Sequence, residues 1–415
     1  MAVATKKQSR RAAPARRRPL ADSVLRLVWR ERRISRAEIA RQAGLSRSTV
    51  SEIVGSLLRT GLVDEVGSGP SAGGRRPIVL QFQDDAYVIL GVEIGAAHVA
   101  VTLTDLRGEV LAWQERSHPV RTDPPGTRAL VAELCSECLA ASRRGARRLV
   151  GIGVAVPSPV DPKHPELLSE VVLPEWRGQS GLAELGERFG VPVLVDNDAN
   201  LGALAEHWWG AGRGIDDIAY IKLGTGVGSG HYVHGKMYRG ATGVAGEIGH
   251  MAIDPSGSPC ICGLRGCLAT LVGAQALVAR ARSLIADYPQ SSLAKGSITI
   301  DTIEDAALAG DALALQVARE AAEHLGIAVA GMLNLMNPAV VILGGGLARL
   351  GDLLLEPLRD IVWRRTLVSS VAAAEVRTSA LGPRAVAIGA ATLILEAALA
   401  DPELFPTTAR RREVR

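Results

Sequence analysis

The chain contains no run of eighteen apolar residues, the length that would suggest a bilayer-spanning helix. Its first twenty residues carry seven basic side chains with no apolar stretch among them, so a secretory signal is not expected. Cysteine is scarce: five in 415 residues, three of them within positions 260–267. That count argues against a disulfide scaffold and fits a reducing compartment, with the cytoplasm as the expected location. Cys135 and Cys138, spaced i,i+3 in a segment read as helix, are expected to be small buried residues rather than a redox pair. Acidic charge is sparse at one end only. Residues 1–80 hold 17 Lys/Arg against 6 Asp/Glu, and the remainder holds 30 against 37. A basic module joined to an acidic body implies a polyanionic partner for the first module alone. At this length two or three domains are expected.

The basic module begins with residues 1–19 (MAVATKKQSRRAAPARRRP), read as a disordered arm able to touch phosphates non-specifically. From Asp22 the pattern turns helical. Ser35 and Glu38 have the spacing of a capping box, Gly44 ends the short helix they open, and Ser46 starts a third. Helix, glycine turn and helix at this spacing predict a helix-turn-helix with the helix from Ser46 as recognition helix. Its exposed candidates are Arg47, Ser48, Thr49 and Ser51: a guanidinium can read guanine, and short hydroxyls can serve phosphates or base edges. Two predicted strands, 62–66 and 78–82, flank GSGPSAGGRRP and make a wing, where Arg75 and Arg76 are candidates for a minor groove or flanking phosphates. Double-stranded operator DNA is the partner this module predicts.

The densest chemistry lies in GEIGHMAIDPSGSPCICGLRGCLAT. His250, Cys260, Cys262 and Cys267 are four zinc-compatible ligands within one short segment. Four protein ligands leave no open position for a water nucleophile, which reads as one structural Zn2+ per chain. Glu247 and His250 flank it, so the loop is also expected to fix a polar ligand pocket.

After Asp84 the text becomes strand-like, with turns at Gly95 and 106–108, a helix over 128–142 and a strand over 149–156. A strand ending in DNDAN places Asp196, Asn197, Asp198 and Asn200 at a sheet's carboxyl edge, where ligands bind in α/β folds. Asp198 is the candidate acceptor for a hydroxyl proton. A second lobe opens near Ala219 with glycines at 224, 226, 228 and 230, whose bare amides suit phosphate. A long helix over 312–335 and a strand ending in Gly344–Gly346 follow, then an apolar helix over 385–400. The expected fold class is α/β, a two-lobed actin-like body with an N-terminal winged helix-turn-helix.

Across residues 20–400 the chain resembles the ROK family (repressors, open reading frames and kinases), in its repressor branch. The resemblance rests on GRRP at 74–77, DNDAN at 196–200, GTGVGSG at 224–230, GEIGH at 246–250, CICGLRGC at 260–267 and LGGG at 343–346. It implies a DNA-binding domain over 20–82, a small lobe over 83–200 completed by 385–402 and a large lobe over 201–384, between the disordered arm read over 1–19 and a tail read over 403–415. It also implies Asn197, Asp198, Glu247 and His250 as sugar-binding residues, with Asp198 matching the family's catalytic base. His250 would serve pocket and zinc with one ring nitrogen each.

The departures from the kinase pattern change the expected function. The family kinases carry Asp-x-Gly-Gly-Thr-Lys where this chain has EIGAAH, residues 93–98. Glu93 is longer than Asp, Gly95 is kept, Ala96 adds a methyl, and Ala97 lacks the hydroxyl that would hold a transferring phosphate. Phosphoryl transfer depends on positioning, so this hairpin reads as a degenerate phosphate loop. Ala269 stands where the kinases place a sugar-binding Glu, a loss of about 1.5–3 kcal/mol in affinity, and Ser158 stands where the family usually has Gly. The expected protein is a non-catalytic, sugar-responsive transcriptional regulator, read as a repressor, with no requirement for ATP. Two recognition helices on half-sites about 34–36 Å apart require two copies, hence a homodimer or homotetramer. A DNA-binding sugar kinase and a ligand-independent DNA-binding scaffold are the alternatives.

Overall fold

The helices of the N-terminal unit follow directly from local capping and apolar periodicity. In this computed structural model, residues 18–68, 77–142, 148–366 and 374–406 are described. The chain divides into a unit of residues 1–87 with 395–415 and a unit of residues 88–394. In the first, α1 (Arg18–Glu31) buries Val24, Leu25 and Val28 along one stripe. A short strand, β1 (Arg33–Ser35), leads to α2 (Arg36–Ala43), where Ser35 and Glu38 form the reciprocal capping box. Gly44, at φ 64°, ends α2 in the left-handed conformation that a side chain would resist. Ser46 caps α3 (Arg47–Thr60), which buries Val50, Val54 and Leu57. Strands β2 (Val63–Ser68) and β3 (Ile78–Phe82) complete a three-stranded antiparallel sheet in the order β1-β3-β2. The end of the chain joins this unit: the Phe405 ring lies 5.3 Å from Tyr87, whose hydroxyl is 2.8 Å from the Pro406 carbonyl oxygen.

The second unit is built twice on one plan. Strands β4 (Val88–Ile94), β5 (His98–Thr104) and β6 (Val110–Ser117) form an antiparallel meander, followed by α4 (Pro124–Ala141) and the strand β7 (Leu149–Val156). After β7 come α5 (Ala183–Phe189) and β8 (Val193–Asn197). The sheet order is β6-β5-β4-β7-β8, with β4, β7 and β8 parallel. Helix α6 (Asp198–Trp209) leads to a second meander, β9 (Ile218–Leu223), β10 (Val227–Val233) and β11 (Lys236–Tyr238). The helices α7 (Ala269–Val272), α8 (Ala274–Leu284), α9 (Ile300–Leu308) and α10 (Ala312–Met336) precede β12 (Val340–Gly345). Finally α11 (Asp352–Arg365), β13 (Glu375–Thr378) and α12 (Ala385–Ala400) close the chain. This sheet reads β11-β10-β9-β12-β13, the same order of an antiparallel hairpin pair followed by two parallel strands.

Each lobe has its own core. The first buries Leu90, Val92 and Val154 against α4, including Cys135 and Cys138. Burial pushes both thiols up, Cys138 to about 12, so they stay protonated and act as small apolar groups. The second gathers Ile221, Leu343 and Leu325, the last from the long helix α10. A third cluster joins Ala155, Leu201, Tyr220, Ile342 and Ala390, so α6 and α12 share apolar packing with β7, β9 and β12.

The packing of α12 leaves no room for side chains between backbones. A methyl group on Gly91 or Gly153 would collide with the carbonyl oxygen of Ala387 or Ala390, and one on Gly389 with that of Leu201. The stretch Gly382–Ala400 is long and apolar enough to cross a membrane, yet 67% of it is buried inside the protein, as a core helix would be. The expected helix over 128–142 begins earlier, because Asp123 caps it ahead of two prolines in its first turn. The expected small-lobe ending at 402 is divided, with residues from Leu395 onward counted with the N-terminal unit. The Gly153→Ala variant is expected to lose about 1–3 kcal/mol of stability or more, since the obstacle is backbone and cannot rotate away. Urea denaturation of the two proteins, compared at equal m-value, measures this.

Candidate functional site

Strand β8 delivers the DNDAN residues to the sheet's carboxyl edge and α6 starts there. Asn197 is the N-cap of α6, accepting from the Ala199 and Asn200 amides at 2.9 and 3.2 Å, and its Nδ2 donates to the Ser158 carbonyl at 3.2 Å. Asp196 is buried and accepts from Arg239 Nε at 2.9 Å and from Asn200 Nδ2 at 3.1 Å. Asp196 and Asn200 thus hold the loop, while Asp198 accepts from the Ala199 amide at 2.8 Å through Oδ1 and leaves Oδ2 for a second partner. The other end of α6 is tied by buried Glu206, which accepts from Ser379 Oγ and from the Ala211 amide at 2.7 Å.

Asp198 has a partner that no sequence motif announces. Lys222, on β9, donates to Asp198 Oδ2 and to Glu93 Oε1, each at 2.7 Å. Glu93 stands at the end of β4 with its side chain 4% exposed, and Lys222 is 16% exposed. Burial alone would lower the Lys222 ammonium, but the charges of Asp198 and Glu93 and their hydrogen bonds outweigh it and hold it raised. The only signal in the sequence is YIKLG, a single lysine in an otherwise apolar strand.

The hairpin 93–98 is closed from within. The His98 ring lies against Gly95, where a β-carbon would meet it, and His98 Nε2 is 3.7 Å from Glu93 Oε1. Beyond it lies a cleft of about 340 Å³ lined by Glu93, His98, Trp113, Lys222, Thr225 and Arg349, among others. Asn197, Asp198, Glu247 and His250 do not line this cleft. The four glycines of 224–230 divide by role: Gly224 and Gly226 face open space, whereas a β-carbon on Gly230 would strike the Ala199 carbonyl and one on Gly228 would touch the Ala199 methyl. The last two admit α6 to β10, so only the tip is left with bare amides.

Glu247 and His250 meet across a short 3-10 turn, with Glu247 Oε2 3.8 Å from His250 Nε2. Burial, and then the charge of Asp198, push the Glu247 carboxyl up. Burial also lowers the His250 imidazole, favouring its neutral form. Its other nitrogen, Nδ1, lies 3.4 Å from Cys260 Sγ, and Cys262 Sγ is 3.7 Å from Cys267 Sγ. The four donor atoms lie within 4.8 Å of one another and could hold a metal ion. Backbone bonds shape the loop for this, Cys260 N donating to Leu264 O and Leu268 N to Met251 O. Ala269 opens α7 beside buried Cys267.

In the N-terminal unit Arg47, Ser48 and Ser51 are exposed and Thr49 is half-buried. The Ser48 and Thr49 hydroxyls each lie 2.8 Å from Ser46 Oγ, so capping engages them before any outside partner does. Arg75 and Arg76 lie outside the described residues.

Residues 89–397 match the ROK family, and residues 23–64 match a winged helix-turn-helix DNA-binding module. The xylose repressor of Caldicellulosiruptor bescii is 30% identical over 384 residues, covering 92% of this chain and 96% of that protein. The DNA-binding transcriptional dual regulator NagC of Escherichia coli is 33% identical over 380 residues, covering 91% and 92%. Among solved structures, a ROK family transcriptional regulator described as a homologue of the Escherichia coli MLC protein superposes with a TM-score of 0.79 at 26% identity, covering 94% of this chain and 98% of that one. A ROK family glucokinase from Streptomyces griseus, in complex with glucose and AMPPNP, gives 0.68 at 31% identity, covering 74% and 98%. With one motif-bearing body matched almost end to end and a DNA-binding module ahead of it, the chain belongs to the ROK family.

Proposed function

We propose that this protein is a sugar-responsive transcriptional repressor that binds a sugar or sugar derivative without phosphorylating it. One observation supports the reading most: the acids proposed to read hydroxyls are kept, while side chains of the protein itself engage the 93–98 hairpin. The charge of Asp198 is felt at Glu247, and His250 Nε2 lies 3.8 Å from Glu247 Oε2. At the other end His98 packs on Gly95, and Lys222 binds both Glu93 and Asp198. The full-length relatives with repressor names support the same reading, as does the basic helix-turn-helix unit. Asn197 serves the pocket by fixing the start of α6, and Asp198, Glu247 and His250 read hydroxyl groups.

The metal in this reading is zinc. Four bonds of about 2.0–2.3 Å in a tetrahedron put sulfur pairs about 3.7 Å apart and nitrogen–sulfur pairs slightly closer, matching the spacings of 3.7 and 3.4 Å at the cluster. His250, Cys260, Cys262 and Cys267 would hold it. A closed four-ligand shell supplies loop rigidity rather than a nucleophile, and it fixes the His250 ring so that Nε2 faces Glu247. Dimeric or tetrameric assembly, with Arg47, Ser51 and the wing arginines Arg75 and Arg76 on DNA, completes the proposal.

Gel-shift titration of the full chain on operator DNA, with and without a sugar panel, tests the function: a sugar that changes affinity supports it, and indifference to every sugar sinks it. Arg47→Ala is expected to weaken operator binding by about 1–3 kcal/mol and relax sequence preference, while leaving sugar affinity unchanged by calorimetry. Metal analysis of protein purified without chelator should return about one zinc per chain, and Cys260→Ser should lose zinc and sugar affinity together. A coupled ADP-release assay over the same sugars should stay far below about 1 per second, the low end of ordinary turnover; reaching that rate would make the protein a DNA-binding kinase instead.

A further inference from the structure

Two carboxylates aimed at one point need a cation between them, because like charges at hydrogen-bonding range oppose each other's ionisation. Glu93 comes from β4 and Asp198 from the first turn of α6, so the first sheet and the following helix bring their acids to one place. Lys222 Nζ is 2.7 Å from an oxygen of each. The three side chains are 4%, 13% and 16% exposed, so bulk water does little of the neutralising.

We propose that Lys222 is the resident cation of the cleft, occupying the position between Glu93 and Asp198 that a divalent metal ion would otherwise take, and orienting Asp198 toward ligand with no metal required. The chemistry of the pair supports this. Hard divalent cations such as magnesium are held by one or two carboxylates with water filling the other positions, and Glu93 and Asp198 supply two. An ammonium is a compact point charge with three donors, and two of them are engaged here. The surroundings leave it the strongest counter-charge at this point. His98 Nε2 is 3.7 Å from Glu93, Glu247 adds negative charge toward Asp198, and Tyr220 is fully buried in the same field. Because Lys222 and Glu93 sit on the central strands of the two sheets, β9 and β4, the same contact also ties one lobe to the other.

The test uses the full chain as purified, with Mn2+ as probe and free Mn2+ read by electron paramagnetic resonance. It needs neither DNA nor sugar, so its outcome is separate from that of the repressor reading. Wild-type protein is expected to show no saturable Mn2+ site at Asp198. Lys222→Ala should gain one Mn2+ per chain, bound about tenfold or more tightly than any wild-type site, since affinity follows the charged ligands released. Adding Asp198→Asn should abolish the gain, and Lys222→Arg, which keeps a cation, should behave as wild type. Lys222→Gln replaces Lys222→Ala if circular dichroism shows the alanine variant misfolded. A folded variant lacking Lys222 that gains no Mn2+ overturns the proposal. So does a gain that survives Asp198→Asn, or a wild-type Mn2+ site that Asp198→Asn removes.

Discussion

Backbone contact between α12 and the strands it crosses is the constraint on which the body depends. Gly91 on β4 and Gly153 on β7 give α12 its seat, and Gly389 lets the same helix touch α6 at Leu201. Side chains at these positions would force the layers apart, and interiors packed to crystal density do not absorb such a change. Because α6 is pressed in this way against α12 and against Tyr220 of β9, its first turn cannot wander. Asn197 then fixes the last detail by capping α6 and donating to the Ser158 carbonyl. The position of Asp198 is thus a consequence of packing far from its carboxylate.

Charge in the body follows an order that packing alone does not require. Glu93, Lys222 and Asp198 form a nearly dry triad, and Glu247, His250 and the cysteine cluster continue from it. Removing one member of a buried pair commonly costs about 3–5 kcal/mol, chiefly because the remaining charge loses its partner. The triad therefore commits this chain to an internal cation beside the 93–98 hairpin.

The N-terminal unit obtains its order differently, from caps and short-range bonds. Ser46 anchors the start of α3, binding its own helix and the hydroxyls of Ser48 and Thr49. Arg36 crosses from α2 to Glu65 on β2 at 2.7 Å, joining helix to wing. Arg47 and Ser51 stay exposed on α3 outside this capping network.

The sequence by itself determined the local grammar. Ser35 with Glu38, Ser46, the glycine stops and the strand at 149–156 were legible because capping and periodicity act over a few residues. The cluster that could hold a metal was legible because its cysteines are close in the chain, and the 93–98 departures because they interrupt a motif. Tertiary structure decided the rest. Lys222 acquires meaning only when β9 is laid beside β4 and α6, contacts spanning 129 and 24 residues that no local pattern records. The glycines of 224–230 read alike in sequence, yet α6 makes Gly230 a packing residue and leaves Gly224 at an open tip. Asp196 and Asp198 both stand at the sheet edge in DNDAN, but their partners do not show in the sequence. Arg239 claims the first and Lys222 the second, because a carboxylate's role is set by which charge the fold brings within hydrogen-bonding distance.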